Sequence, residues 1–174
     1  MNRQEIYLAG GCFWGIEHFL KQVAGVLDTE TGFANGHTPN PTYEQVYTDT
    51  TGYAETVKVT FDADVAPLDF LVDMYFHAID PTSINWQGED SGTRYRTGIY
   101  YTQPGQLPVI RQVMQRWQQH LDGHIAVEVE PLRCFTAASE RHQDYLDKNP
   151  QGYCHLPLEL FAWAKRQHPS VSQS

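Results

Sequence analysis

Cysteine is scarce in this chain of 174 residues, which contains three, Cys12, Cys134 and Cys154, and no Cys-x-x-Cys pair. Three scattered cysteines are too few for the disulfide framework of a small secreted domain, and they do not form a Cys-rich zinc site. The eight histidines contain no His-Glu-x-x-His arrangement, so we predict no metal site. In a reducing compartment, cysteines of this kind are catalytic, redox-active or simply buried.

Long apolar runs and clusters of positive charge are also missing. No stretch approaches the roughly 18 apolar residues that cross a bilayer, and residues 1–15 lack a signal-peptide pattern. The 12 Lys and Arg residues are outnumbered by 21 Asp and Glu residues, which gives a formal net charge of −9. Without a basic run there is no electrostatic footprint for nucleic acid. We therefore expect a cytoplasmic protein that binds neither nucleic acid nor membranes.

Apolar periodicity predicts an α/β (α+β) fold without internal repeats. Strands are expected near residues 5–9, 28–33, 55–61, 95–101 and 125–130. Helices are expected directly after Cys12 and near residues 67–79, 104–121 and 138–147. Because the helices carry one apolar stripe and the strands one apolar side, we predict a two-layer sandwich of helices on a mixed sheet.

Three loop-rich stretches interrupt this pattern, at residues 34–52, at 81–93 and from 149 onward. Long loops in a compact domain are often functional. The length of the chain predicts a single domain over residues 1–165, followed by a frayed C-terminal tail over residues 166–174.

The most informative segment is Gly10-Gly11-Cys12-Phe13-Trp14, between an apolar strand and a helical pattern. This position predicts that Cys12 lies at a helix N-terminus, where unpaired N–H groups and the helix dipole favour an anion. A thiolate stabilised in this way is a nucleophile. Phe13 and Trp14 could form an apolar wall for a substrate group, or they could pack in the core.

Glu55 is the second candidate, because alternation along its strand places it on the same face as Val57 and Val59. Desolvation there would raise the pKa of Glu55 and allow it to deliver a proton to a substrate oxygen. The alternative is an exposed glutamate at a strand end. Tyr95 could donate a hydrogen bond to a polarised oxygen, and Asp90 could orient a water, a backbone N–H or the amide of the substrate. The alternative is that both are turn-forming and packing residues.

Cys154 lies in the loop-rich segment Asn149-Pro150-Gln151-Gly152-Tyr153-Cys154-His155, which could bring it close to another cysteine. The alternative is an unpaired thiol. Cys134, in Leu132-Arg133-Cys134-Phe135, is expected to be a packing residue.

Taken together, these segments resemble the signature blocks of the methionine sulfoxide reductase A family. The blocks occur in the order of the family from about Glu5 to His155, and besides the run around Cys12 they include Pro39-Asn40-Pro41-Thr42-Tyr43-Glu44, Thr51-Gly52-Tyr53-Ala54-Glu55, Gly88-Glu89-Asp90-Ser91-Gly92-Thr93-Arg94-Tyr95 and Gly152-Tyr153-Cys154. The resemblance implies a ferredoxin-like plait and the thiol-dependent reduction of methionine-S-sulfoxide, free or in proteins, as a repair activity. It implies no metal or organic cofactor, but an external reductant such as thioredoxin or dithiothreitol, and we expect a monomer.

The resemblance also implies a role for each candidate residue. Cys12 would attack the sulfoxide and become a sulfenic acid, while Glu55, helped by Tyr95, would protonate the oxygen. Cys154 would then resolve the sulfenic acid as a Cys12–Cys154 disulfide. The substrate would be bound by four residues, namely Phe13, Trp14, Asp90 and Phe33.

One departure from the family pattern concerns Phe33, which stands where most members carry a tyrosine whose hydroxyl helps to bind the sulfoxide oxygen. The site would then rely on Glu55 and Tyr95. Two other functions remain as alternatives: a cysteine hydrolase or acyltransferase, and a non-catalytic module that binds thioethers or peptides. The hydrolase needs a histidine within reach of Cys12, and no sequence feature assigns one.

Overall fold

The computed structural model describes residues 1–169. Within these residues the chain forms eight strands: β1 (Arg3–Ala9), β2 (Val26–Ala34), β3 (Ala54–Asp62), β4 (Trp86–Gln87), β5 (Asp90–Ser91), β6 (Gly98–Tyr101), β7 (Glu128–Pro131) and β8 (Phe135–Ala137). The same residues form six α-helices: α1 (Phe13–Lys21), α2 (Tyr43–Tyr47), α3 (Leu68–His77), α4 (Gln106–Gln118), α5 (Tyr145–Lys148) and α6 (Leu158–Arg166). Single turns of 3-10 helix lie at Thr93–Tyr95 and Glu140–His142.

Six of the strands form one mixed sheet in the order β7-β6-β1-β3-β2-β8. Neighbouring strands are antiparallel except β6 and β7, which run parallel. The four central strands, with α1 between β1 and β2 and α3 between β3 and β6, have the order of a ferredoxin-like plait. The predicted α/β architecture with a mixed sheet is therefore confirmed. Strands β4 and β5 form a separate two-stranded hairpin.

Both faces of the central strands are buried, and β1 shows how one sequence achieves this. Ile6 and Leu8 belong to the main core, which they share with α1 and α3. Tyr7 and Ala9 point the opposite way, because successive side chains alternate, and they join a smaller apolar cluster with Tyr100. The strand is thus anchored on both sides directly before it delivers the chain to Cys12.

The helices bury their apolar stripes in the main core. Helix α1 buries Phe13, Ile16, Phe19 and Leu20. Helix α4 packs on α3, where the rings of Phe76 and Trp117 stack at 5.4 Å. Helix α4 has 13 residues, and no helix within residues 1–169 is long and apolar enough to cross a membrane.

Three predicted elements differ from the structure. The strand expected over residues 125–130 begins only at Glu128. The strand expected over residues 95–101 begins only at Gly98, because a 3-10 turn occupies Thr93–Tyr95. The helix expected over residues 138–147 is interrupted at Asp144, whose φ of 53° is left-handed and cannot continue a right-handed helix. What remains is one 3-10 turn and the four residues of α5.

Two helices were not predicted. Helix α2 is short and is held by a capping box between Thr42 and Gln45. Helix α6 lies inside the segment that we expected to be a loop, and its last turn carries the basic residues Lys165 and Arg166. The predicted tail therefore begins on the last residue of a helix, and residues 170–174 lie outside the described residues.

Candidate active site

The candidate nucleophile, Cys12, is the N-cap residue of α1. The chain leaves β1 at Ala9 and turns through Gly10 and Gly11 before the helix begins. Gly11 has a φ of 88°, and a Cβ atom there would lie 2.7 Å from Cβ of Gln87. A glycine is required at this turn for both reasons. Cys12 itself is 6% exposed.

Burial controls the ionisation of this thiol. It raises the pKa of Cys12 well above the ordinary value of 9.0, and Glu55, when it is ionised, adds to the effect. A hydrogen bond with the Trp14 N–H lowers the pKa, but it does not compensate. The expected stabilisation of the thiolate by the helix N-terminus is therefore wrong for the resting protein, because desolvation outweighs the helix.

Glu55 lies on β3 directly opposite Phe33 of β2. Its Oε1 atom accepts a hydrogen bond from the Phe13 N–H at 3.1 Å, so the carboxyl group is tied to the first residue of α1. Glu55 is 1% exposed. Burial raises its pKa to about 8, against the lowering effects of the Phe13 N–H and Arg94. Near neutral pH this carboxyl group therefore holds a proton beside the buried thiol.

Aromatic rings surround the start of α1. The ring of Phe13 lies 5.7 Å from Phe33 and 6.3 Å from Tyr43. Trp14 stacks on Tyr145 at 3.8 Å. Phe13 and Phe33 are both 1% exposed, whereas Trp14 is only partly buried. Phe13 and Phe33 therefore form the floor of the site, and Trp14 is the ring with a surface left for a ligand.

Tyr95 and Asp90 approach the site from the segment that contains the β4–β5 hairpin. Tyr95 is 6% exposed, and burial together with the charge of Glu55 raises its pKa. The Arg94 guanidinium group lies 4.3 Å from the centre of the Tyr95 ring and forms an ion pair with Asp49. A phenol that keeps its proton in this position can donate a hydrogen bond to a substrate oxygen.

Asp90 is held from the C-terminal side of the chain. Its Oδ1 atom accepts a hydrogen bond from the Tyr153 hydroxyl at 2.9 Å, and its Oδ2 atom lies 3.8 Å from Nδ1 of His155. The two residues that flank Cys154 in the sequence therefore both reach the same carboxylate.

The three cysteines are free thiols. Cys154 lies against α1, since a Cβ atom on Gly15 would be 3.1 Å from the Cys154 Sγ atom. The charge of Cys154 is among those that raise the pKa of Cys12. Cys134 lies elsewhere, with its Sγ atom 3.9 Å from the Tyr53 hydroxyl. Cys154, not Cys134, is thus the thiol that the fold brings to the start of α1.

Comparison with known proteins places this geometry in a family. The family profile described as Peptide methionine sulfoxide reductase matches residues 4–172. The chain belongs to the peptide methionine sulfoxide reductase family. It is 50% identical over 157 residues to peptide methionine sulfoxide reductase MsrA of Clostridium acetobutylicum, which covers 90% of this chain and 97% of the relative.

Solved structures agree with this assignment. The reductase is similar to Mxr1 from Saccharomyces cerevisiae in reduced form, with a TM-score of 0.84, 37% identity, and coverage of 88% of this chain and 89% of that one. It is also similar to Mxr1 in complex with Trx2, with a TM-score of 0.60, 25% identity, and coverage of 83% and 85%. The predicted family and its oxidoreductase class are therefore confirmed.

Two residues of the reductase site were not assigned a role from the sequence. The pKa of Tyr43 is raised to about 12 by burial and by the charges of Glu55 and Cys12, so its hydroxyl is a second protonated phenol near these groups. Tyr43 thus adds a third side chain that holds its proton in this part of the structure, besides Glu55 and Tyr95, the two on which we expected the site to rely. The capping box that starts α2 was the local signal that could have drawn attention to Tyr43.

The second missed residue is His155, whose side chain is 3% exposed. Its sequence signal is only its position next to Cys154. Within residues 1–169, the reductase has no group of three or more His, Cys, Asp or Glu side chains placed to hold a metal ion.

Proposed function

We propose that this protein reduces the S epimer of methionine sulfoxide, free or in proteins, and so repairs oxidised proteins. The observation that carries the proposal is the pair of buried groups at the start of α1. The Cys12 thiol lies at the N-cap position, and Glu55, with a pKa of about 8, accepts a hydrogen bond from the N–H of the following residue, Phe13. A nucleophilic sulfur beside a carboxylic acid is the pair needed to attack a sulfoxide sulfur and protonate its oxygen.

The first step forms a bond between the Cys12 sulfur and the sulfoxide sulfur. Glu55 protonates the oxygen, and the Tyr95 and Tyr43 hydroxyl groups stabilise it by hydrogen bonds. The protonated oxygen passes to Cys12 while the S–O and S–S bonds of the methionine sulfur break and methionine leaves, so the methionine sulfur is reduced and Cys12 is oxidised to a sulfenic acid. The proton that the Cys12 thiol loses on attack replaces the one that Glu55 has given to the oxygen. A resting thiol with a raised pKa fits this order, because the substrate must be bound before the thiolate forms.

Substrate binding is assigned to residues around this pair. Trp14, the partly buried ring beside the nucleophile, would hold the methyl group together with Phe13. Asp90 would orient the amide of the substrate. Among ionisable groups, Glu55 has the largest effect on the pKa of the Cys12 thiol, ahead of Asp90 and Cys154. This arrangement favours sulfoxide reduction over a cysteine hydrolase or acyltransferase, which needs an imidazole as the base.

Recycling is assigned to Cys154, which would attack the sulfenic acid and release water as the Cys12–Cys154 disulfide forms. A thioredoxin-like dithiol, or dithiothreitol in the assay, would then reduce the disulfide. The similarity to Mxr1 in complex with Trx2 supports a reductant of this kind. We further propose a monomer that works in the cytoplasm, with one catalytic domain over residues 1–165.

The test is incubation of the protein with the two separated epimers of a methionine-sulfoxide peptide and dithiothreitol, with product followed by mass. We expect turnover of the S epimer only, and none by Cys12→Ser. Cys134→Ser is the matched control and should turn over like wild type. Binding of both epimers without turnover would support a binding module instead, and a covalent acyl-enzyme formed from activated esters would support a hydrolase.

A further inference from the structure

The contact between Asp90 and His155 contains three buried polar atoms that make no hydrogen bond: Oδ2 of Asp90 and both ring nitrogens of His155. The Nδ1 and Oδ2 atoms lie 3.8 Å apart, which is too long for a hydrogen bond. Buried polar atoms without partners cost free energy and are uncommon in folded proteins. An imidazole kept in this condition beside the Cys154 thiol therefore calls for a role beyond packing.

The position of the ring indicates that role. A Cβ atom on Gly15 would lie 3.3 Å from Nδ1 of His155 and 3.1 Å from the Cys154 Sγ atom, so the imidazole and this thiol meet over one point of α1. A Cβ atom on Gly11 would lie 3.1 Å from Nε2. The ring thus extends along the backbone turn that carries Cys12, with one nitrogen on the side of Cys154 and the other beside the residue that precedes Cys12.

We propose that His155 is the proton acceptor for Cys154 in the resolving step, an inference that rests on the proposed function of the site. Nδ1 takes the proton of the Cys154 thiol as its sulfur attacks the sulfur of the Cys12 sulfenic acid. The S–S bond forms and the S–O bond breaks. Cys154 is oxidised and Cys12 is reduced, and the departing hydroxide takes a proton from Nε2 and leaves as water.

The electrostatics of the neighbouring groups agree with this role. Burial raises the pKa of Cys154 above its ordinary value of 9.0, so this thiol needs a base at neutral pH. Burial lowers the pKa of His155 below 6.5, against the raising effects of Asp90 and of the Gly10 backbone, so the ring is neutral at neutral pH and can accept a proton. The groups facing the ring are Asp90, Cys154 and the turn with Cys12, and the Asp90 carboxylate stabilises a proton that arrives at Nδ1. The Tyr153 hydroxyl holds the other oxygen of Asp90 in place.

The test is a single-turnover experiment with His155→Gln, an excess of methionine sulfoxide and no reductant. Methionine, dimedone-trapped sulfenic acid and disulfide are followed separately in time. We expect methionine to form at the wild-type rate within about twofold, disulfide formation to slow by about 10²-fold, and sulfenic acid to accumulate. His168→Gln, an exposed histidine outside the site, is the matched control and should match wild type.

The pH dependence of disulfide formation provides a second measurement. With His155 as the base, the wild-type rate should level off above the lowered pKa of His155. In His155→Gln it should keep rising about tenfold per pH unit toward the raised pKa of Cys154, because only thiolate attacks. If the variant does not fold, the wild-type profile decides the question: a rate that rises steadily to pH 9 overturns the proposal.

The two hypotheses fail in different ways. If the wild-type protein makes no methionine, the proposed function is wrong. If methionine forms but His155→Gln closes the disulfide at the wild-type rate, only the role of His155 is wrong.

Discussion

A buried glutamate away from the candidate active site should make the stability of the protein depend on pH. Glu17 on α1 is 1% exposed. Its Oε2 atom accepts a hydrogen bond from the Thr29 hydroxyl at 2.9 Å, and its Oε1 atom accepts one from the Asp144 N–H at 2.8 Å. Burial raises the pKa of Glu17 from 4.5 to about 7, although both hydrogen bonds lower it. The substitution Glu17→Gln keeps the shape and removes the charge.

The sign and size of the effect follow from proton binding. Between pH 4.5 and pH 7 the folded protein holds a proton on Glu17 that the unfolded chain has lost, so stability falls as the pH rises through this range. With about 1.4 kcal/mol for each pKa unit, the loss is on the order of 3 kcal/mol. The glutamine amide can still accept from the Asp144 N–H and donate to the Thr29 hydroxyl, so Glu17→Gln should escape this loss.

The assay is urea unfolding of wild type and Glu17→Gln from about pH 4.5 to pH 8 at constant ionic strength, with thiols kept reduced. We expect the difference in the free energy of unfolding to move in favour of the variant by on the order of 3 kcal/mol as the pH rises. Glu159→Gln, which alters an exposed carboxyl group on α6, is the control and should stay within about 0.5 kcal/mol of wild type. Parallel curves for wild type and Glu17→Gln would refute the argument that burial sets the ionisation of this residue.

Three further predictions concern the reaction. Glu55→Gln removes the proton donor with a pKa of about 8, so single-turnover reduction should slow by about 10²–10⁴-fold at neutral pH, and an unchanged rate and pH profile would mean that the proton comes from elsewhere. Phe33→Tyr places a hydroxyl group opposite Glu55, and a hydrogen bond from it to the sulfoxide oxygen, worth about 0.5–1.5 kcal/mol, should raise catalytic efficiency severalfold. A clear fall in catalytic efficiency would mean that the buried site has no room for the added hydroxyl group. Cys154→Ser should make one equivalent of methionine without reductant and leave a dimedone-reactive sulfenic acid on Cys12, while Cys134→Ser behaves like wild type; a dominant Cys12–Cys134 bridge in the wild-type protein after one turnover would contradict this assignment.

The parts of the site that lie on one regular element were predictable from the sequence. The strand–glycine–helix pattern placed Cys12 at a helix N-terminus, and alternation along β3 placed Glu55 on a buried face. The ionisation of Cys12 was not predictable in this way. It depends on how completely the rest of the fold covers the thiol, and a local pattern contains no information about that.

The parts of the site and the fold in which segments far apart in the chain meet could not be predicted from the sequence either. Tyr43 reaches the ring of Phe13 through a loop that has no periodicity. His155 contacts Asp90 although the two residues are 65 positions apart in the sequence. The left-handed backbone at Asp144 depends on tertiary hydrogen bonds, since its N–H group donates to Glu17 on α1. Local conformational propensities do not predict any of these contacts.

The burial of the nucleophile has a consequence for the survival of the protein under oxidative stress. The oxidants that create methionine sulfoxide also attack cysteine, and they react with thiolates far faster than with thiols. Cys12 is 6% exposed and has a raised pKa, so hydrogen peroxide meets a covered, protonated sulfur. Irreversible conversion to a sulfinic acid is thereby slowed. Burial of Cys12 therefore extends the working life of the protein in the surroundings where its substrate is abundant.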